Sequence, residues 1–494
     1  MTERVEIKKL ATGVPGLDGV LGGGLPEFSF NLIAGGPGCG KTTLAHQIMF
    51  ASATPERPAL YISILGESPL KMLRYQQQFS FFDVDKIPGC IRFLHLGATE
   101  LEQGLETVLA RIIAEVEATD PKLVLVDSFR AVATSAHESG EMDLQQMVQR
   151  LSLHLTSWEA TTFLVGEYEQ AESESSAVFT VADGIIWLSQ DIARNSIVRK
   201  LQVVKMRGQP QIPGLHTVRI SGAGLQVYSR LLNPVAPSVQ LPPGRRPLRQ
   251  TGIAGLDEML GGGIPAGYSV IVVGPSGSGK TVLSTQFIRE GIARGEPGVI
   301  AVFEKRPEEY LTTAPGAPPL QELVDAGKLR MLHLRPLDLS VDETMEEIAI
   351  AVRAVGAKRI AIDSLSGLEL ALAPSFREDF RESLYRMVGG LVQLGVTIVM
   401  TAELTDAYTE LRLSPHGISF LTDGIILQRY VEMKGLLRRV MVVAKMRGIG
   451  HRKELRLYDI GQDGMVVGEP LTDHEHVLAG VPRLLADDLR SRGA

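Results

Sequence analysis

Cysteine is almost missing from this chain: 494 residues hold two, Cys39 and Cys90, which excludes a disulfide framework. No stretch approaches the roughly 20 uninterrupted apolar residues that would cross a bilayer. The opening residues, MTERVEIKKLATG, lack the apolar core of an export signal, so a cytoplasmic location with no membrane partner is expected. Dense Lys/Arg tracts are missing too. With 50 basic against 57 acidic residues the net charge is −7, and the basic footprint that duplex nucleic acid demands is not there. Nucleic acid is therefore not an expected partner. His451, His474 and His476 have no acid or thiol at ligand spacing and read as surface histidines.

What the chain does have is length and repetition. Its hydrophobic fraction of 44% and charged fraction of 22% are those of a globular protein, and its length favours two domains. TGVPGLDGVLGGGLP at Thr12–Pro26 returns as TGIAGLDEMLGGGIP at Thr251–Pro265, 239 positions later. VKMRG at Val204–Gly208 returns as AKMRG at Ala444–Gly448, 240 positions later. Landmarks kept in register over such a span indicate a duplicated domain. Between the copies, LLNPVAPSVQLPPGRRP carries five prolines, which makes it a semi-rigid spacer. The expected organisation is a first domain at 1–230, a linker at 231–247, a second domain at 248–468 and a tail at 469–494.

Within each copy, short apolar runs alternate with amphipathic stretches. FNLIAG, ALYISIL, KLVLVD and TTFLVG in the first copy correspond to SVIVVG, GVIAVF, RIAIDS and TIVMTA in the second. Runs this apolar suit strands covered on both faces, so the expected fold is α/β, a mostly parallel sheet flanked by helices. LQVVKMRG and RVMVVAKMRG read as additional antiparallel strands.

The chemistry follows from two glycine-rich loops. Gly35–Thr42 (GGPGCGKT) and Gly274–Thr281 (GPSGSGKT) both fit G-x-x-x-x-G-K-[ST], each between an apolar strand and a helix. Such a loop turns backbone N–H groups toward phosphate oxygens, and the helix N-terminus adds partial positive charge. The ligand expected at both is ATP with Mg²⁺. The loop residues are Gly36, Pro37, Gly38, Cys39, Gly40, Lys41, Thr42 and Thr43, and then Pro275, Ser276, Gly277, Ser278, Gly279, Lys280, Thr281 and Val282. Lys41 and Lys280 would reach the β/γ-phosphates, and Thr42 and Thr281 would offer a hydroxyl to the metal. Asp127 and Asp363, each ending an apolar strand before a serine, are the expected Walker B acids on the metal side, although an aspartate there also serves as a turn or helix cap.

The leading TG-x-x-G-LD-x-x-x-GGG-x-P, the phosphate loop, the serine after the Walker B aspartate and the late K-M-R-G together resemble the KaiC family, double-domain relatives of RecA. The likeness is densest over ISFLTDGIILQRYVEMKGLLRRVMVVAKMRG (Ile418–Gly448). The resemblance implies two tandem RecA-like domains and a homohexamer of two stacked rings with ATP at the subunit interfaces. Lys205, Met206 and Arg207, and Lys445, Met446 and Arg447, would serve the ATP of a neighbouring subunit; otherwise K-M-R decorates a strand edge. The family also carries paired glutamates after its second strand. Aligned on the following proline, Glu304 fits the base position in the second domain and also lies near the metal, while the first domain has Gly66 there. Glu67, or a more distant carboxylate such as Glu167, would then substitute, or hydrolysis in that domain is slow.

The family's second domain is an autokinase acting on an adjacent Ser-Thr pair. Here Ile418-Ser419-Phe420 keeps only the serine, so the resemblance implies at most one-site phosphorylation at Ser419, unless Ser419 is simply a polar strand-end residue; Ser414 is a weaker candidate. The family's clock members continue into a tail that binds a stimulating partner, KaiA. This chain stops soon after Gly480-Val481-Pro482-Arg483, so dependence on a KaiA-type partner is not expected, while the first ring leaves room for a KaiB-like one. The leading expectation is a hexameric ATPase with a serine autokinase in the second domain, acting in timing or signalling. The competing readings are a RecA-related recombination or repair ATPase and a nucleotide-gated scaffold with little turnover.

Overall fold

The apolar runs form strands because every second side chain has a separate core to enter. In Leu123–Asp127, Leu123 and Leu125 join one buried cluster and Val124 and Val126 the opposite one. A strand buried on both faces has no polar face to alternate with, which is why these segments read as continuous apolar runs. The computed structural model describes residues 7–65, 69–132, 141–174, 176–193, 196–230, 246–304, 306–313, 318–334, 340–372, 380–404, 421–472, 474–479 and 483–484. Among them, no helix is long and apolar enough to cross a membrane.

The chain divides into two compact units, Met1–Leu231 and Leu232–Ala494. The first is built on a nine-stranded sheet: β1 (Phe30–Gly35), β2 (Ala59–Ile64), β3 (Ile91–Leu96), β4 (Leu123–Asp127), β5 (Thr161–Glu167), β6 (Gly184–Ala193), β7 (Ser196–Met206), β8 (His216–Ser221) and β9 (Gly224–Tyr228). Their spatial order is β9-β8-β7-β6-β1-β5-β4-β2-β3. Strands β1 to β6 are parallel to their neighbours, and β7 to β9 extend the sheet antiparallel.

The second unit repeats the plan with β10 (Ser269–Gly274), β11 (Gly298–Val302), β12 (Leu329–His333), β13 (Arg359–Asp363), β14 (Thr397–Glu403), β15 (Gly424–Met433), β16 (Leu436–Met446), β17 (Arg456–Gly461) and β18 (Gly464–Pro470), in the same order. Each sheet lies between two buried clusters, the layering of two tandem RecA-like α/β domains. The apolar runs and the two late antiparallel strands fall where the sequence placed them. The outer strands β3 and β12 were not anticipated, because their inner surfaces are only half covered and their sequences carry interspersed polar residues.

The repeated TG-x-x-G-LD segment has a structural job. Asp18 Oδ1 accepts from the backbone N–H and the hydroxyl of Thr12 at 2.9 and 2.7 Å. Asp257 Oδ1 accepts the same pair from Thr251 at 2.7 and 2.8 Å. In each unit this clasp lies between the two strands of a short antiparallel ladder, Lys9–Leu10 with Leu25–Pro26 and Leu248–Arg249 with Ile264–Pro265. The motif pins the chain ahead of the first parallel strand and stands away from the phosphate loop.

Helix α1 (Lys41–Ser52) follows the loop of the first unit and α2 (Lys280–Ala293) that of the second. On the inner face of α1 sits His46, fully buried, its ring 4.6 Å from that of Tyr61. Burial lowers its pKa to about 4, with the neighbouring Gln76 side chain offsetting part of the effect. A histidine that must stay neutral leaves stability intact above its unfolded pKa near 6.5 and removes it progressively as pH falls toward 4. The first unit should therefore lose up to about 3 kcal/mol over that window through this group alone. Urea midpoints compared between pH 7 and 4.5 should show a steeper fall for the native chain than for His46→Leu; equal falls would remove the linkage.

Candidate functional site

A loop between a central strand and a helix must reverse direction tightly. Gly40 and Gly279 make this possible at φ +104° and +96°, in the left-handed region immediately before α1 and α2. A side chain at Gly40 would also strike Ile220, 2.6 Å from where its Cβ would stand. The loop therefore needs glycine for conformation and for space.

In both units the loop ends beside the Walker B aspartate. Thr42 Oγ1 donates to Asp127 Oδ2 at 2.9 Å, and Thr281 Oγ1 donates to Asp363 Oδ2 at 2.7 Å. Sheet order creates this pairing: β5 lies between β1 and β4, so the carboxyl ends of all three strands face one cleft. The lysines fold back over their own loops, Lys41 Nζ donating to Gly36 O at 2.7 Å and Lys280 Nζ to Gly274 O and Pro275 O at 2.9 and 2.7 Å.

The first cleft, about 530 Å³, is lined by Lys41, Thr42, Thr43, Asp127, Ser128, Arg130 and Glu167. The second, about 290 Å³, is lined by Lys280, Thr281, Val282, Glu304, Asp363, Ser364 and Glu403. Gly38, Gly40, Ser276, Gly277 and Gly279 contribute backbone to these walls. Cys39 and Ser278 turn under the loop instead. The Cys39 thiol is buried against Gly36 O, burial pushes its pKa up, and Ser278 Oγ donates to Gln428 Oε1 at 3.0 Å. A hydroxyl beside a carboxylate is a hard oxygen pair that fits Mg²⁺, an ion that keeps most of its coordination for water and phosphate oxygens.

Asp127 is held by a second donor that sequence reading missed. Tyr61, on β2, donates its hydroxyl to Asp127 Oδ2 at 2.9 Å. Burial lifts the Asp127 carboxyl above its ordinary range, against the opposing donors Thr42 and Tyr61. In the second unit Ile300 occupies the strand position of Tyr61, and a buried tyrosine arrives from another element: Tyr310, on the helix Pro307–Thr313, lies 3.2 Å from Thr285 Oγ1 and close to Asp363. There Asp363 Oδ1 accepts instead from Thr401 at 2.5 Å.

The carboxylates near the phosphate end differ between the units. Ser63 pairs with Asp127 and Val302 with Asp363; two residues further along stand Leu65 and Glu304. Counted from these strand pairs, Leu65, half-exposed and left-handed at φ +49°, falls level with Glu304, whereas alignment on the prolines puts Gly66 there, because the first copy has one more residue before its proline. Glu304 is oriented by the serine after the Walker B acid. Ser364 Oγ donates to Glu304 Oε1 at 2.7 Å while accepting from Gly367 N at 3.0 Å. Glu167 and Glu403 end β5 and β14 opposite Gly35 and Gly274, and Glu167 Oε1 stands 3.5 Å from Lys41 Nζ. Gly66, Glu67, Ser414 and Ser419 lie outside the described residues.

The K-M-R residues are not near their own loops. Arg207 pairs with Asp183 at 3.0 Å and Arg447 with Asp423 at 3.9 Å. Those aspartates accept from the backbone N–H groups of Phe30 and Ser269, which open β1 and β10. Lys205 Nζ donates to Thr180 O at 3.2 Å and Lys445 Nζ to Thr422 O at 2.7 Å. Burial first, then the neighbouring arginine, depresses the pKa of each lysine. Met206 and Met446 are core residues under Gly184 and Gly424, so only their backbones remain for a ligand. Two further cations do approach the loops: Arg199 Nε donates to Gly38 O at 3.4 Å, and Arg439 lies over the ring of Tyr430, whose hydroxyl donates to Ser276 O. No motif flags them, since only the pairing of β6 with β7 and of β15 with β16 brings them there.

Removing the Tyr61 hydroxyl leaves a buried carboxylate short of a donor, which costs about 1.5–3 kcal/mol. Tyr61→Phe should lower the unfolding free energy of the first unit by that amount, read from urea midpoint and slope, and Ile300→Val in the second unit should cost only about 0.5–1.5 kcal/mol.

Comparison with known proteins agrees with this geometry. The family model described as "ATPase: KaiC" matches twice, over residues 10–231 and 249–472. Among curated relatives, "Circadian clock protein KaiC3" of Synechocystis sp. is 27% identical, covering 97% of this chain and 95% of its own length. "Circadian clock oscillator protein KaiC" of Picosynechococcus sp. is 26% identical, over 98% of this chain and 94% of its own. Two phosphate loops of one design, each facing its Walker B aspartate across the same strand order, and two matches to one family model lead to a single statement: the chain belongs to the KaiC family of ATPases.

Proposed function

We propose that this protein is a homohexameric ATPase that binds Mg-ATP at both phosphate loops, with each nucleotide completed by a neighbouring subunit. One observation carries the reading. The K-M-R cations sit at the amino ends of β1 and β10, whereas the phosphate loops leave their carboxyl ends. Five residue steps along β1, at about 3.3 Å each, put roughly 17 Å between the two. Arg207 and Arg447, half-exposed, cannot serve the phosphates of their own loop. A neighbour's phosphates are the natural target, and cations offered across an interface stabilise the charge that develops as the terminal phosphoryl group departs.

Within each site the roles follow from position. Backbone N–H groups of the loop and the start of α1 or α2 hold the phosphates, and Lys41 and Lys280 move from their carbonyl partners onto the phosphate oxygens. Thr42 with Asp127, and Thr281 with Asp363, would hold Mg²⁺, which when bound neutralises phosphate charge. In the second domain Ser364 aims the Glu304 carboxylate into the cleft, where it orients the attacking hydroxyl or water and takes its proton. Glu304 and Ser364 support a serine autokinase in this domain with Ser419 as acceptor, in keeping with the family's double-domain plan. Output in timing or signalling, self-association, a KaiB-like partner and a cytoplasmic site of action complete the proposal, resting on the family membership.

Lys41→Ala with Lys280→Ala should abolish phosphate release, and an unchanged rate would end the ATPase assignment. Arg207→Ala with Arg447→Ala should lower hydrolysis by at least about 100-fold while single protomers still bind nucleotide. Light scattering with and without Mg-ATP reads the assembly; full-speed hydrolysis by lone protomers overturns it. Incubation with Mg-ATP should place phosphate on Ser419 in a peptide map, lost in Glu304→Gln. A bare Ser419 with ATP consumed leaves a plain ATPase.

A further inference from the structure

Each domain needs a carboxylate where its phosphate chain ends, and the two have solved this differently. In the second, Glu304 enters the cleft on the station two residues past the strand pair Val302–Asp363. In the first, that station holds Leu65, which cannot accept a proton. The cleft is not without a second acid. Beyond Asp127, which faces Thr42, its wall carries Glu167.

We propose that Glu167, brought by β5 rather than by the segment after β2, is the catalytic base of the first domain; this rests on the ATPase reading above. Three observations support it. Its backbone pairs with Gly35, the first residue of the phosphate loop, so its position is fixed by the sheet and not by a loop. Its Oε1 lies 3.5 Å from Lys41 Nζ, the group that reaches the terminal phosphates. Its side chain is 58% exposed, so the pair with Lys41 is a weak tie that an incoming phosphate displaces, leaving the carboxylate beside the γ-phosphate.

The step balances without further groups. A water oxygen bonds to Pγ, and the bond from Pγ to the bridging oxygen breaks with its electron pair leaving on ADP. The water proton passes to the Glu167 carboxylate and then to solvent, giving ADP and inorganic phosphate. Glu403 stands on the corresponding strand end in the second domain, but there Glu304, fixed by Ser364, already serves. Among the described residues, then, the first domain has one glutamate at its cleft and the second has two.

The test uses the full chain in a Lys280→Ala background, so that phosphate release reports the first domain. Adding Glu167→Gln should cut release by at least about 100-fold. Gel-filtered protein should retain ATP rather than ADP, which shows the site still folded and loaded. Glu167→Asp should restore part of the rate. Release by Glu167→Gln at the parent rate overturns the proposal, as does loss of release in Glu67→Gln with Glu167→Gln still active. A Lys280→Ala parent that binds ATP and never hydrolyses it also overturns it. A parent that binds no ATP at all sinks the nucleotide-binding reading itself, a distinct failure.

Discussion

Everything in each domain converges on one short contact, the hydroxyl that begins the phosphate-loop helix against the carboxylate that ends a strand two places away. Thr42 to Asp127 and Thr281 to Asp363 are each below 3 Å. Neither residue could find the other along the chain, since 85 and 82 positions separate them. The sheet order makes the distance short, and the buried apolar strands fix the sheet order. The layered cores, the glycine turn and the tyrosines beside the aspartate all serve to hold that hydroxyl and that carboxylate in place.

Duplication has kept this contact and let its supports drift. A buried tyrosine stands beside the aspartate in both copies, yet it comes from β2 in one and from a helix in the other, with Ile300 on the strand position that Tyr61 holds. The start of the Walker B strand is Leu123 in the first copy and the buried Arg359 in the second, where Glu296 and the carbonyls of Gln250 and Phe287 receive the guanidinium. Behind the loop helix, His46 stands where the second copy has Thr285. What tolerates such exchange is volume and hydrogen-bonding reach rather than side-chain identity. The carboxylate stations have drifted in the same way, and there the exchange bears on chemistry.

The strands, the loops and the Walker B acids were legible in the sequence because each carries a local pattern: apolar runs for doubly covered strands, glycine spacing for a tight turn into a helix, an acid at a strand end. The leading TG-x-x-G-LD repeat was equally visible, but its meaning was not; only the Thr12–Asp18 and Thr251–Asp257 hydrogen bonds show it to be a clasp. Ser364 was visible as the serine after the aspartate, but its hold on Glu304 was not, and Tyr61, Tyr310 and the pair Arg199 and Arg439 left no signal, since each acts between elements that are remote in the chain.

The sequence by itself determined that this is a duplicated α/β chain with two phosphate loops, because backbone curvature and strand burial depend on residues adjacent in the chain. Only the tertiary structure decided which acid faces which loop. One extra residue after β2 moves Leu65 onto the station that Glu304 holds in the other copy, and strand pairing carries Glu167 to the opening of the phosphate loop. The physical reason is that a catalytic carboxylate is defined by its distance to a phosphate, and that distance is set by sheet register, which no single segment encodes.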